Sequence, residues 1–233
     1  MRQIVLDTET TGLDPNRGHR VMEIGGVELF ERRRTGREFH TYLNPQREIE
    51  DRAREMTGLT EEFLADKPLF AHKAEEFLAF VDGAELVIHN AAFDVGFLES
   101  ELARLPAAGT LAARCSVLDT LQLARSRYPG QKNSLDALCR RLSIDNSHRQ
   151  LHGALLDAHL LTEVYLALTA GQGDLAFSSA AELVLERAAD VRAEPGKLRL
   201  QRATGADLEL HQRRLQAIDR ASAGQCLWLR RES

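Results

Sequence analysis

The chain has 233 residues, 43% hydrophobic and 28% charged, with a net charge of −5. That is enough for one well-cored domain plus an extension, and the net acidity argues against duplex binding through a broad basic face. No apolar run approaches the ~20 residues that span a bilayer. A strand pattern already under way at residue 3 leaves no expected signal peptide, and Cys115, Cys139 and Cys226 are too scattered for a disulfide framework or a C-x-x-C metal site. These features indicate reduced thiols in a cytoplasmic protein, with no membrane partner. Charge is uneven: residues 186–233 hold 10 basic and 7 acidic residues, against 20 and 28 in the remainder. An acidic body with a basic tail suggests two parts with different tasks.

Residues 2–7 form the first expected strand, and Ile4, Val5 and Leu6 in succession suggest burial on both faces. A polar loop follows over 13–20. Val21 to Leu29 and Phe39 to Leu43 read as an antiparallel pair joined through Arg32–Arg37, with the turn at Thr35-Gly36. Residues 44–68 read as irregular. Helical apolar spacing covers Leu69 to Val81, then a short strand covers Glu85 to His89 and a helix about 91–104, with Asn90 as its expected N-cap. A strand near 112–118 and helices over 119–128, 134–142 and 154–170 complete the domain, which Gly171-Gln172-Gly173 ends. Antiparallel strands followed by interleaved helices and strands predict an α/β domain with a mixed sheet.

Chemistry gathers at three stretches. Asp7 and Glu9 lie two apart beyond the first strand's apolar run, on one side of the extended chain with Cα atoms ~7 Å apart. Paired carboxylates there repel unless a cation joins them, and a hard divalent ion prefers such oxygen ligands. A solvated Asp beside a helix-capping Glu is the bland alternative. Asp94 falls in the first turn after a buried strand, where acids also favour the helix dipole. Phe93 suits a base contact or core packing. Asp157 and His152 lie five apart, which turns ~140° on a helix, so both cannot share one helical face. With Gly153 between them, His152 is expected on the preceding loop and Asp157 in the helix's second turn. A metal ligand needs fixed geometry, while a general base needs proton affinity near neutrality and reach to a water.

Together Asp-Thr-Glu-Thr-Thr-Gly from Asp7, His-Asn-Ala-Ala-Phe-Asp ending at Asp94, and His-Gly-Ala-Leu-Leu-Asp-Ala from His152 resemble the DEDDh family of 3′–5′ exonucleases on a ribonuclease H-like fold. Glu23-Ile24-Gly25, Arg33 to Gly36, Asn133 to Cys139 and Ile144 to Ser147 extend the resemblance to the family's proofreading members in bacterial replicative polymerases. It covers about residues 2–178 well and the tail loosely. The resemblance implies a five-stranded mixed sheet flanked by helices, with a flexible C-terminal tail. It implies two divalent ions, Mg²⁺ or Mn²⁺, held by Asp7, Glu9, Asp94 and Asp157, with His152 as the base for the attacking water. The frayed or single-stranded 3′ end of DNA is then expected against Asp7, Thr8, Glu9, Thr10, Gly12, Asn90, Phe93 and Asp157, with small Thr8, Thr10 and Gly12 admitting it to the backbone. Between Glu50 and Thr60 the family places a Glu and a His on the terminal nucleotide; this chain has Arg52 and Thr57, of which Thr57 retains a hydroxyl donor.

The expected organisation is an exonuclease domain at 1–171, a sliding-clamp-binding peptide at 172–177, a linker at 178–205 and a polymerase-subunit-binding tail at 206–233. Gln172, Leu175 and Phe177 supply a polar anchor and an apolar plug for the clamp (beta), and a short helix is expected over 206–222. Leu227 and Trp228 are the expected anchors on the polymerase catalytic (alpha) subunit, and a small accessory (theta-like) subunit is a further partner of the family. A free-standing trimming exonuclease would share the five catalytic positions but needs no such tail, and a non-catalytic adaptor would not need the acidic set.

Overall fold

Along β1 (Arg2–Thr10) alternate side chains enter different layers, as the two-residue period of a strand requires. Ile4 and Leu6 pack with Phe77, Phe97 and Leu98, whereas Val5 packs with Leu161 and Tyr165. All three strand residues are fully buried, which is why the sequence shows an unbroken apolar run there. The computed structural model describes residues 1–106, 109–149, 151–170, 203–222, 226 and 228–229. The chain divides into two units, Met1–Phe177 and Ser178–Ser233.

In the first unit, β2 (Val21–Phe30), β3 (Arg33–Tyr42), β4 (Glu85–Ile88) and β5 (Ser116–Asp119) join β1 in a five-stranded sheet of order β3-β2-β1-β4-β5. β1–β2 and β2–β3 are antiparallel; β1–β4 and β4–β5 are parallel. The helices are α1 (Asp51–Thr57), α2 (Glu61–Leu64), α3 (Phe70–Val81), α4 (Ala91–Leu102), α5 (Thr120–Arg127), α6 (Leu135–Leu142) and α7 (Ala154–Leu168). Residues of α3 and α4 pack with Ile4 and Leu6, and residues of α7 pack with Val5 and Val87. This is the mixed-sheet, ribonuclease H-like α/β fold that the sequence predicts.

Two local expectations are corrected. The β2–β3 turn is at Glu31-Arg32, not Thr35-Gly36: both turn residues have positive φ, 48° and 63°, as a two-residue hairpin turn of type I′ requires. Gly36, at φ 84°, lies inside β3 where the register shifts between Val27 and Leu29. Residues 44–68 are not all irregular, since they contain α1 and α2. Gly58 ends α1 in the left-handed conformation, and the Thr60 hydroxyl caps α2 by accepting from Phe63 N–H.

In the second unit, α8 (Gly205–Ala221) falls where a short helix is expected and opens with a Thr204–Asp207 capping box. Trp228 is exposed. The clamp-binding peptide at 172–177, most of the linker at 178–205 and Leu227 lie outside the described residues.

Candidate active site

The alternation along β1 continues past the apolar run. Asp7 and Glu9 follow Val5 on the side of α7, and Thr8 follows Leu6 on the side of α4. Thr8 binds α4 directly, its backbone N–H and its hydroxyl donating to Asp94 Oδ1 at 3.0 and 2.7 Å. Asp94 is thereby placed at the strand end, almost fully buried. Asn90 occupies the N-cap position of α4 without capping it: its backbone is left-handed, φ 65°, a conformation that Asn tolerates better than most residues. Its N–H donates to Asp119 instead, at 3.2 Å.

On the other side Gly153 stands at the N-cap of α7, and His152 precedes it on the loop, as expected. Asp157 is the fourth helical residue and so lies in the first turn, not the second. The start of α7 is fixed by two residues that the sequence reading did not single out for this purpose. Buried Glu23, paired with Glu9 across β1–β2, accepts from Ala154 N–H at 3.1 Å and meets His40 Nε2 at 2.7 Å. Gly25, the neighbour of Asp7 across the same ladder, lies directly beneath the α7 backbone. The His152 N–H is in turn bound to the Met56 carbonyl at 2.8 Å.

Asp7, Glu9, Asp94, His152 and Asp157 thus line one cleft of about 250 Å³, with Thr8, Asn90 and Phe93. Ligand atoms of Glu9, His152 and Asp157 lie within 4.8 Å of one another. Burial, then the charges of Asp94, Glu9 and Asp157, holds the Asp7 carboxyl well above its ordinary range. Burial and the Asp157 charge raise Glu9 to about 8, and burial raises Asp94 to about 7 despite its bonds from Thr8. Burial and the Arg149 charge lower His152. Several carboxylates that resist ionisation, with oxygen donors and one imidazole, form a donor set that fits a hard divalent cation.

Sequence reasoning missed Arg149, whose side chain is 7% exposed. Its guanidinium donates to Asp157 Oδ1 at 2.5 Å and Oδ2 at 2.6 Å, to Asp136 Oδ1 at 2.7 Å and to His152 Nδ1 at 2.9 Å. The signal was weak, a lone Arg in a polar loop before the third motif.

A second cleft of about 200 Å³ adjoins the first and shares Thr8, Glu9 and Phe93 with it. Thr10, Gly12, Leu13, Arg52, Met56 and Thr57 also line it. Phe93 packs against Phe97, with ring centroids 4.9 Å apart, while facing both clefts. One expectation changes here. The Thr57 hydroxyl donates to the Ala53 carbonyl at 2.9 Å and accepts from Leu59 N–H at 3.1 Å, so its proton is already committed within α1. Gly12 is required by a neighbouring side chain: a Cβ there would come within 2.3 Å of the His19 ring. His19 is itself buried between Thr11 Oγ1 at 3.1 Å and Glu50 at 3.0 Å. Arg52 is exposed at the rim and forms no ion pair among the described residues.

A mixed sheet whose central strand ends in paired acids, met by acids from α4 and α7, is the frame of a nuclease. A family model described as Exonuclease (RNase_T) matches residues 4–165. DNA polymerase III subunit epsilon of Escherichia coli (strain K12) is 47% identical over 239 residues, covering 97% of each chain. The subunit of the same name from Rickettsia felis is 53% identical over 173 residues, covering 74% of this chain and 76% of the relative. Among solved structures, Exonuclease X in complex with 5′ overhanging duplex DNA superposes with a TM-score of 0.57 at 25% identity, over 73% of this chain and 93% of that one. An E. coli exonuclease I–ssDNA complex, at TM-score 0.64 and 20% identity over 76% of this chain and 43% of that one, shares the fold. The chain belongs to the exonuclease family and, within it, to the DNA polymerase III epsilon subunits. Its activity is that of a 3′–5′ DNA exonuclease, and its role is proofreading for the replicative polymerase.

Proposed function

We propose that Asp7, Glu9, Asp94 and Asp157 hold two divalent ions, Mg²⁺ or Mn²⁺, and that His152 is the general base in removing mispaired 3′-terminal nucleotides as 5′-mononucleotides. The observation that carries this reading is the convergence of all five side chains on one cleft from β1, α4 and the start of α7. When bound, the ions supply positive charge to the scissile phosphate and lower the pKa of a bound water. The chain's own residues do the rest. The imidazole of His152 takes the proton of the attacking water, and its lowered pKa keeps it unprotonated for that task. Thr8 holds Asp94 against β1, and Glu23 holds the start of α7. The second cleft receives the terminal nucleotide, with Phe93 at its junction with the acids and Thr10, Gly12, Arg52 and Thr57 among its walls. A mispaired end supplies an unpaired nucleotide at lower melting cost than a matched one.

The chain acts in the cytoplasm, within the nucleoid-associated replisome. Its partners are the polymerase catalytic subunit, contacted through Leu227 and Trp228, the sliding clamp, contacted through Gln172, Leu175 and Phe177, and a small accessory subunit. No helix among the described residues is long and apolar enough to cross a membrane. The test is degradation of matched and mispaired primer ends with Mg²⁺ or Mn²⁺, with RNA as control. Faster removal of the mispaired DNA end, abolished by Asp7→Ala, is expected. Equal rates on both ends, or full activity in the variant, would refute the assignment.

A further inference from the structure

Among the described residues lining the acidic cleft, Arg149 is the only Lys or Arg. Its contacts cover the functional atoms of two residues at once. Both oxygens of Asp157 lie in its fork. A guanidinium has donors only, so His152 Nδ1 must be the acceptor, and in the neutral ring the proton then sits on Nε2. A His152 held this way has no free nitrogen with which to take a proton from water. Each oxygen of Asp157 held this way has one of its lone pairs taken by the fork. While Arg149 grips both residues, His152 cannot accept a proton, and an ion reaching Asp157 must share its oxygens with a guanidinium. A second anchor is at hand: Asp136, on α6, also accepts from the guanidinium and lies outside the proposed ligand set.

Resting on the two-ion reading above, we infer that Arg149 is a positioning residue that stands in for the cation, holding Asp157 and His152 in a resting arrangement and withdrawing onto Asp136 when a divalent ion enters. A doubly charged ion and a guanidinium repel one another and compete for the same carboxylate oxygens. Withdrawal frees both oxygens of Asp157 and the lone pair on His152 Nδ1 together, so ion loading and activation of the base are one event. Asp136 keeps the displaced charge paired in a partly buried place, where an unpaired one would be costly.

The test is calorimetric titration of Mn²⁺ into the ion-free full chain. Arg149→Ala is expected to bind the ion about tenfold more tightly than wild type, because a desolvated competitor has gone. Arg149→Lys keeps the charge but loses the fork, and is expected to fall between the two; it also serves if the alanine variant does not fold. Asp136→Ala is expected to weaken ion binding in the wild-type background and to have about twofold effect or less when Arg149 is already alanine. A simple charge effect of Asp136 would persist in both backgrounds and would overturn the hand-over. The ¹⁵N resonances of His152 in the ion-free protein should report an Nε2–H ring in wild type, with that preference lost in Arg149→Ala. Unchanged Mn²⁺ affinity in both Arg149 variants would refute the competition. Unchanged affinity in Asp157→Ala would instead remove the ion assignment itself, so the two failures are separable.

Discussion

The seat of α7 can be tested at Gly25. A Cβ there would stand 2.2 Å from Leu155 N, 2.3 Å from Ala154 C and 2.4 Å from Leu155 Cα, where ordinary contact begins at 3.4 Å. These are backbone atoms of the first helical turn and cannot rotate away. Gly25→Ala therefore has to lift the start of α7 by about 1 Å, or bend β2 by as much. Asp157 and His152 lie close to that contact in sequence and move with it, whereas the second cleft is lined by no residue of α7. A misplacement of about 1 Å is expected to lower kcat by about 10²-fold, with KM for a mispaired primer little changed. Overpacking of this kind costs about 1–3 kcal/mol, so the variant should melt several degrees lower and still fold. Steady-state kinetics on a primer with a mispaired 3′ end, together with thermal melting, measures both. Wild-type kcat and an unchanged Tm would show that the helix seat does not govern the site.

Asp7→Asn should abolish cleavage, and the ion-free variant should melt higher than ion-free wild type near neutral pH, because a carboxyl buried among other acids is gone; equal melting would contradict that cost. Glu9 at about 8 and Asp94 at about 7 bind protons more tightly in the folded chain than in the unfolded one. Stability from this source is fully present below the unfolded values of about 4 and is lost progressively as pH rises to the folded ones, so the ion-free Tm should fall between about pH 4 and 8 and level off above, and Mg²⁺ should flatten the profile. A flat ion-free profile would refute this. Replacing Gln172 and Phe177 by Ala should weaken sliding-clamp binding by about tenfold or more in surface plasmon resonance; unchanged affinity would make that peptide a chance match. Deleting residues 206–233 should leave nuclease activity intact and abolish co-purification with the polymerase catalytic subunit; retained binding would refute the docking role.

Much of the site is legible in sequence because its parts are local. Two acids at i and i+2 share a strand side, an acid after a buried strand falls in a helix's first turn, and a glycine before an apolar helix separates a loop histidine from a helical aspartate. The apolar runs at Ile4-Val5-Leu6 and Leu86-Val87-Ile88 likewise mark strands covered on both faces. Where reading stopped short, the competing signal was also local but ambiguous. Thr35-Gly36 has turn chemistry, yet the hairpin turns at Glu31-Arg32, where cross-strand register places the reversal. Thr57 keeps a hydroxyl, yet α1 uses its proton.

By itself the sequence determined the order of elements apart from α1 and α2, the mixed sheet, the three acidic motifs and the family. Strand and helix periods and helix caps are properties of neighbouring residues, so they survive without knowledge of packing. Tertiary structure alone decided what stands between the motifs. Glu23 accepts from Ala154, Gly25 lies beneath Leu155, and His19 fills the space beside Gly12. Arg149 joins Asp136, His152 and Asp157 through one guanidinium. Each depends on the distance between elements brought together by the core, and no sequence spacing encodes that distance.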